Sequence, residues 1–71
     1  MTPEHLRSFR HSLGLSQAEF ARMLGVANGR TVRRWEAGEI SIPGPVAVIW
    51  ALYGLNPPLV GKWLKGRAVT G

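Results

Sequence analysis

Apolar residues along this chain recur at helical rather than strand spacing. Leu6, Phe9 and Leu13 fall on one side of a helix expected over residues 3–13. Thr2 precedes it as a good N-cap, Pro3 suits the first turn, and Glu4 sits at the positive end of the dipole. Gly14 ends the helix through the left-handed cap that glycine permits. A second helix is expected over residues 17–24. Ser16 and Glu19 form a capping box, Phe20, Ala21 and Leu24 make the apolar stripe with Met23 at its edge, and Gly25 terminates it. After the turn VANG, Asn28 caps a third helix over residues 29–37 that stops at Gly38. EISIPGP reads as a loop, because Pro43 and Pro45 exclude regular helix there. The fourth helix, residues 45–53, is apolar almost all round, which predicts the central buried element. Asn56 caps a fifth helix with Pro57 and Pro58 in its first turn. Leu59, Val60, Trp63 and Leu64 are assigned to one side of it, and Lys62 and Lys65 to the other. Residues 67–71 are expected to form a flexible C-terminal tail, leaving residues 1–66 as the domain. Alternation with period two occurs only in EISI, which is too short for a strand. The pattern predicts an all-α fold, a compact five-helix bundle.

The third helix changes the picture from fold to function. With Arg30 set at zero on a helical wheel, Arg33, Arg34 and Ala37 fall within about 60° of it. Val32, Trp35 and Glu36 centre near about 190°, on the opposite side. The helix therefore has one packing face, anchored by Trp35, and one cationic face. A solvated surface stripe would also show arginines, but no acidic residue sits four positions away on that face to pair with them.

Composition narrows what such a face meets. The chain has 71 residues, enough for one domain with a small core. Nine Lys and Arg against four acidic residues give a net charge of +5, which favours a polyanionic partner: nucleic acid or an anionic membrane surface. The longest apolar run, VAVIWALYGL, is well short of the ~20 residues needed to span a bilayer. The N-terminus shows no apolar signal core, and a cytoplasmic location is expected. No cysteine is present, which excludes disulfides and thiolate metal sites. His5 and His11 share no helix face and read as surface residues, so no metal site and no cofactor are expected. No nucleophile–base pair, paired carboxylates or phosphate-cradling glycine loop stands at usable spacing, so an enzyme is not expected.

Two helices joined by a short glycine-bearing turn have the layout of a helix-turn-helix, whose second helix enters the DNA major groove. LGLSQAEFARMLGV followed by TVRRWEAGE resembles the Cro/repressor-type (XRE) helix-turn-helix family, with a lambda-repressor-like domain. The likeness covers residues 6–55 and is carried by Gln17, Ala21, Gly25, Val26, Val32, Trp35 and Glu36. One departure is local. Six residues, VANGRT, separate Gly25 from Val32, one more than is usual in the family. The extra residue is expected at Asn28-Gly29, where left-handed backbone is tolerated.

The resemblance implies a sequence-specific regulator of transcription, a homodimeric repressor on an inverted-repeat DNA operator. Compact regulators of this type occur in phage operons and toxin–antitoxin modules and often repress their own operon. Arg30 and Arg33 are expected at base edges, because the guanidinium fork matches guanine O6 and N7. Arg34 is expected at a base or a phosphate, with Asn28 and Thr31 also within reach. Gln17 resembles the family's phosphate-binding glutamine, and Ser16 lies beside it. Glu36 flanks the packing face and calls for a cationic partner. Arg10, at the edge of helix 1's packing face, is read as that partner, in a structural pair familiar from the family. Arg7 and Arg22 are expected to be solvated, and Trp50, Tyr53 and Trp63 to add buried area. Leu59, Val60, Trp63 and Leu64 are the dimer-interface candidates. A competing reading is an antitoxin-like module whose fifth helix chiefly binds a partner protein such as a toxin.

Overall fold

A computed structural model describes residues 1–70 as five α-helices: α1 (Pro3–Ser12), α2 (Gln17–Leu24), α3 (Gly29–Glu36), α4 (Gly44–Leu55) and α5 (Pro57–Thr70). The fold is the expected all-α five-helix bundle, with α2 and α3 packed as a helix-turn-helix. The starts of the first three helices follow from side-chain caps. Thr2, Ser16 and Asn28 accept hydrogen bonds from His5 N–H, Glu19 N–H and Arg30 N–H, respectively. The α1 box is closed by His5, whose Nδ1 accepts from the Thr2 N–H. The intervening turns are set by Gly14, Gly25 and Gly38, all at positive φ.

The core is built from α1, α2, α3 and the inner face of α5. Leu6, Phe9, Leu13, Phe20, Ala21, Met23, Val32, Trp35, Leu64 and Ala68 are buried in it, joined by Val46 of α4. Phe9 meets Phe20 edge-on with ring centroids 5.4 Å apart, and Tyr53 packs against Phe9 at 5.2 Å. Met23, expected at the edge of the α2 stripe, is fully buried, and Leu24 is only partly so. α2 packs against both α3 and α5, so more of its surface is covered than a single apolar stripe predicts.

Three sequence expectations need correction. α4 is not the central buried element. Only Val46 of it is buried, while Val48, Leu52 and Leu55 face solvent and Ile49, Trp50 and Tyr53 pack at the core's margin. An apolar composition says that a helix seeks cover, not that its own chain provides it. Leu64 is not available to an interface between copies: it is 1 % exposed, inside the monomer core. α5 turns Val60, Gly61, Leu64 and Ala68 inward at helical spacing, and Leu59 and Trp63 outward. Finally, residues 67–70 are helical. Arg67 Nε donates to the Met23 carbonyl at the end of α2, and Arg22 Nη1 donates to the Ala68 carbonyl. These two bonds and the burial of Ala68 hold the end of α5 against α2. The last residue of the expected tail, Gly71, lies outside the described residues. Among the described residues, no helix is long and apolar enough to cross a membrane.

Candidate nucleic-acid interface

α3 forms because Asn28 caps it and because Val32 and Trp35, both buried, pin one side against the core. The opposite side carries Arg30, Arg33 and Arg34, all exposed. Thr31 is half-buried beside them. Arg34 Nε stands 3.7 Å from Glu39 Oε1, an exposed pair made possible because the chain turns back at Gly38. Such a pair is weak, worth ~0–1 kcal/mol. Arg30 and Arg33 have no ion pair among the described residues.

The turn before α3 accommodates its extra residue differently from expectation. Asn28 is extended at φ −165°, and no residue of the turn other than Gly25 has positive φ. Gly29 is needed for space instead. A Cβ built on it would lie 2.9 Å from the Ala18 backbone nitrogen and 3.1 Å from the Ala18 Cα. The first turns of α2 and α3 thus touch backbone to backbone, and the positive ends of two helix dipoles meet beside Arg30. Nothing in the sequence signals this contact beyond a glycine at the first position of a helix, where a better helix former would otherwise serve. Gly29→Ala should therefore push α3 away from α2. We expect a loss of about 1–3 kcal/mol in thermal unfolding.

At the start of α2, Ser16 Oγ accepts from Glu19 N–H while Glu19 Oε1 accepts from Ser16 N–H. The bond from the Ser16 backbone N–H, followed by the Ser16 side chain and the charge of Arg22, holds the Glu19 carboxyl below the usual range. The Gln17 and Ala18 N–H groups, in the first turn, have no partner within the helix. Gln17's side chain is turned toward α3: its Nε2 donates to Glu36 Oε1 at 3.2 Å.

Glu36 is the polar centre of the fold. It is 6 % exposed and ends α3 against α1. Arg10 Nε donates to Oε2 at 2.7 Å and Arg10 Nη2 to Oε1 at 3.1 Å, a two-pronged pair. Arg10 Nη1 donates to the Leu15 carbonyl in the α1–α2 turn. Arg7, expected to be solvated, donates from Nη2 to the Glu36 carbonyl and brings its Nε to 3.8 Å from Oε1. One carboxylate thus joins α1, α2 and α3. Burial pushes its pKa up, but the hydrogen bonds from Arg10 and Gln17 and the charges of Arg10 and Arg7 outweigh burial, leaving it below the ordinary carboxylate value.

The structure thus brings Arg30, Arg33 and Arg34 together on one open face, with Asn28 and Thr31 at its leading edge and Ser16 and Gln17 at the neighbouring helix start. Leu59, Val60 and Trp63 belong to a different element, α5. Among the described residues, no cluster of His, Cys, Asp or Glu is suited to hold a metal ion. Compared with known families, residues 4–63 match the model of a helix-turn-helix domain. No curated protein and no solved structure matches the chain significantly.

Proposed function

Because the chain belongs to the helix-turn-helix domain family, we propose that it regulates transcription by sequence-specific binding of double-stranded DNA in the major groove. The observation that carries this reading is the cationic face of α3. Its arginines are exposed, and its back is fixed by Val32, Trp35 and the Arg10–Glu36 pair. In this proposal Arg30 and Arg33 read bases, since no carboxylate competes for them. Arg34, tethered to Glu39, serves a phosphate or an outer base. Asn28 caps α3 through its Oδ1, which leaves its amide hydrogens for a base edge, and Thr31 lies one turn below. Phosphate is assigned to the start of α2: the Gln17 and Ala18 N–H groups, the Ser16 hydroxyl, and the amide hydrogen of Gln17 that Glu36 does not take.

A single α3 spans few base pairs, so the proposed species is a dimeric repressor on an inverted repeat, with recognition helices one DNA turn apart at ~34 Å. The proposed dimer seam is the outer face of α4, where Val48, Leu52 and Leu55 are exposed. α4 bears no charged side chain, so two copies can pair there without like charges meeting. Val60, half-buried at the start of α5, lies beneath the exposed surface. Control of its own operon is part of the same proposal.

Selection of bound sites from a random DNA pool tests the reading. A two-fold symmetric consensus is expected. An asymmetric consensus, or none, would exclude the symmetric dimer. Affinity for the selected site should fall steeply with salt, with a log–log slope near about −5 if about six phosphates are contacted. A flat salt response would remove the phosphate contacts and the proposal with them.

A further inference from the structure

The exposed residues of α5 differ in kind from those of α4. Leu59 is 66 % exposed and Trp63 58 %, and they line a shallow groove with Lys62, Gly66 and Arg67. Trp63 is not loose. The Arg67 guanidinium lies over its ring at 5.4 Å, while Arg67 Nε is held by the Met23 carbonyl at 2.9 Å. The structure therefore presents a propped aromatic side chain with cations on its flanks. Aromatic anchors fixed before contact are the residues that carry most binding energy in protein interfaces.

Charge decides the occupant. No carboxylate side chain occurs after Glu39, whereas Lys62, Lys65 and Arg67 all lie on α5. A second copy of the chain has little to offer these cations. Its Glu36 is buried and bonded to Arg10 and its Glu19 is used in a capping box, leaving Glu4 and the weakly paired Glu39. Symmetric docking of α5 on α5 would instead bring Lys62 and Arg67 against their own kind, which disfavours association. We infer that the outer face of α5 is a docking groove for an acidic amphipathic helix of another protein. Its apolar stripe packs on Leu59 and Trp63, and its carboxylates meet Lys62 and Arg67. Apolar anchors at helical spacing in a groove, flanked by charge, are the usual grammar of helix recognition.

The intact protein can be titrated with two designed helical probes that share one leucine stripe. Glutamates flank the stripe in one, lysines in the other. Binding is read by anisotropy of the labelled probe and by the Trp63 indole N–H resonance. The glutamate probe should bind at least about tenfold more tightly than its lysine twin, weaken with salt, and shift the Trp63 signal. Trp63→Ala and Lys62→Glu should each reduce that binding by about tenfold or more. Both positions are exposed, so circular dichroism should show an unchanged fold. Equal affinity for the two probes, or none for either, overturns the assignment. So does a Trp63→Ala chain that has lost self-association in the absence of probe, since the groove would then belong to a second copy.

Discussion

Glu36→Ala should lower the unfolding free energy by ~3–5 kcal/mol, the loss usual when one member of a buried ion pair is removed. A chain of this length holds only about 4–11 kcal/mol in total, so toward the lower end of that range much of the protein would be unfolded. The size of the loss follows from what is left behind. Arg10 is 12 % exposed, and its Nε and Nη2 would lose their acceptors. Gln17 would lose its side-chain partner on α3, and α1 would keep only the Arg7 bond to the residue-36 carbonyl as its polar tie to that helix. Urea denaturation of Glu36→Ala, Arg10→Ala and the double variant isolates the pair. The double variant should be less destabilised than the sum of the singles. The same site sets an acid limit. Because the carboxyl is depressed in the folded state below the ordinary carboxylate value of 4.5, the stability it contributes is complete above that pH. It is lost as pH falls through the lower folded-state value. Glu36→Ala should therefore show a flatter stability profile than the parent below pH 4.5. A parallel pair of acid-unfolding curves would show that other carboxylates control acid unfolding.

Replacing Arg30, Arg33 and Arg34 together by alanine should abolish specific DNA binding while leaving the fold intact. All three are exposed, and the single ion pair among them, Arg34 with Glu39, is weak. Each arginine at a base or phosphate is worth ~1–3 kcal/mol, so the triple variant should lose about a hundredfold in affinity at the least. Single variants sort the roles. Arg33→Ala should relax preference at one position of each half-site, whereas a phosphate contact would weaken all sequences alike and shallow the salt slope by about one. A triple variant that still binds the selected site with parental affinity would move the interface off α3 altogether.

What the sequence made legible is what local chemistry decides. Thr2, Ser16 and Asn28 mark the starts of α1, α2 and α3, and Gly14, Gly25 and Gly38 mark their ends, because capping involves neighbours within a few residues. The division of α3 into a Trp35 side and an arginine side follows from helical geometry alone. What stayed hidden depends on which elements meet. α4 looks like a core helix by composition, yet its chain neighbours cover only its inner side. α5 shows apolar residues around most of its circumference, and only docking on α2 reveals that Leu64 and Ala68 turn inward while Trp63 does not. Gly29 could be read as a turn residue, since its real constraint is the backbone of Ala18 across the motif. Arg7 and Gln17 give no sequence sign of converging on Glu36, because their partner lies 29 and 19 positions away.

The two-pronged contact between Arg10 and Glu36 also limits how the sequence can drift. Changing either residue alone passes through a fold with a stranded charge, so the two positions are locked against independent substitution. Exchanging both at once for apolar side chains of similar size, such as Arg10→Met with Glu36→Leu, lies on the far side of that barrier and is often neutral or favourable in buried pairs. A lineage, or a laboratory selection, that crosses it would free Gln17 from the acceptor that now holds it toward α3. The start of α2 would then be open to new contacts without any change in the arginines that face outward.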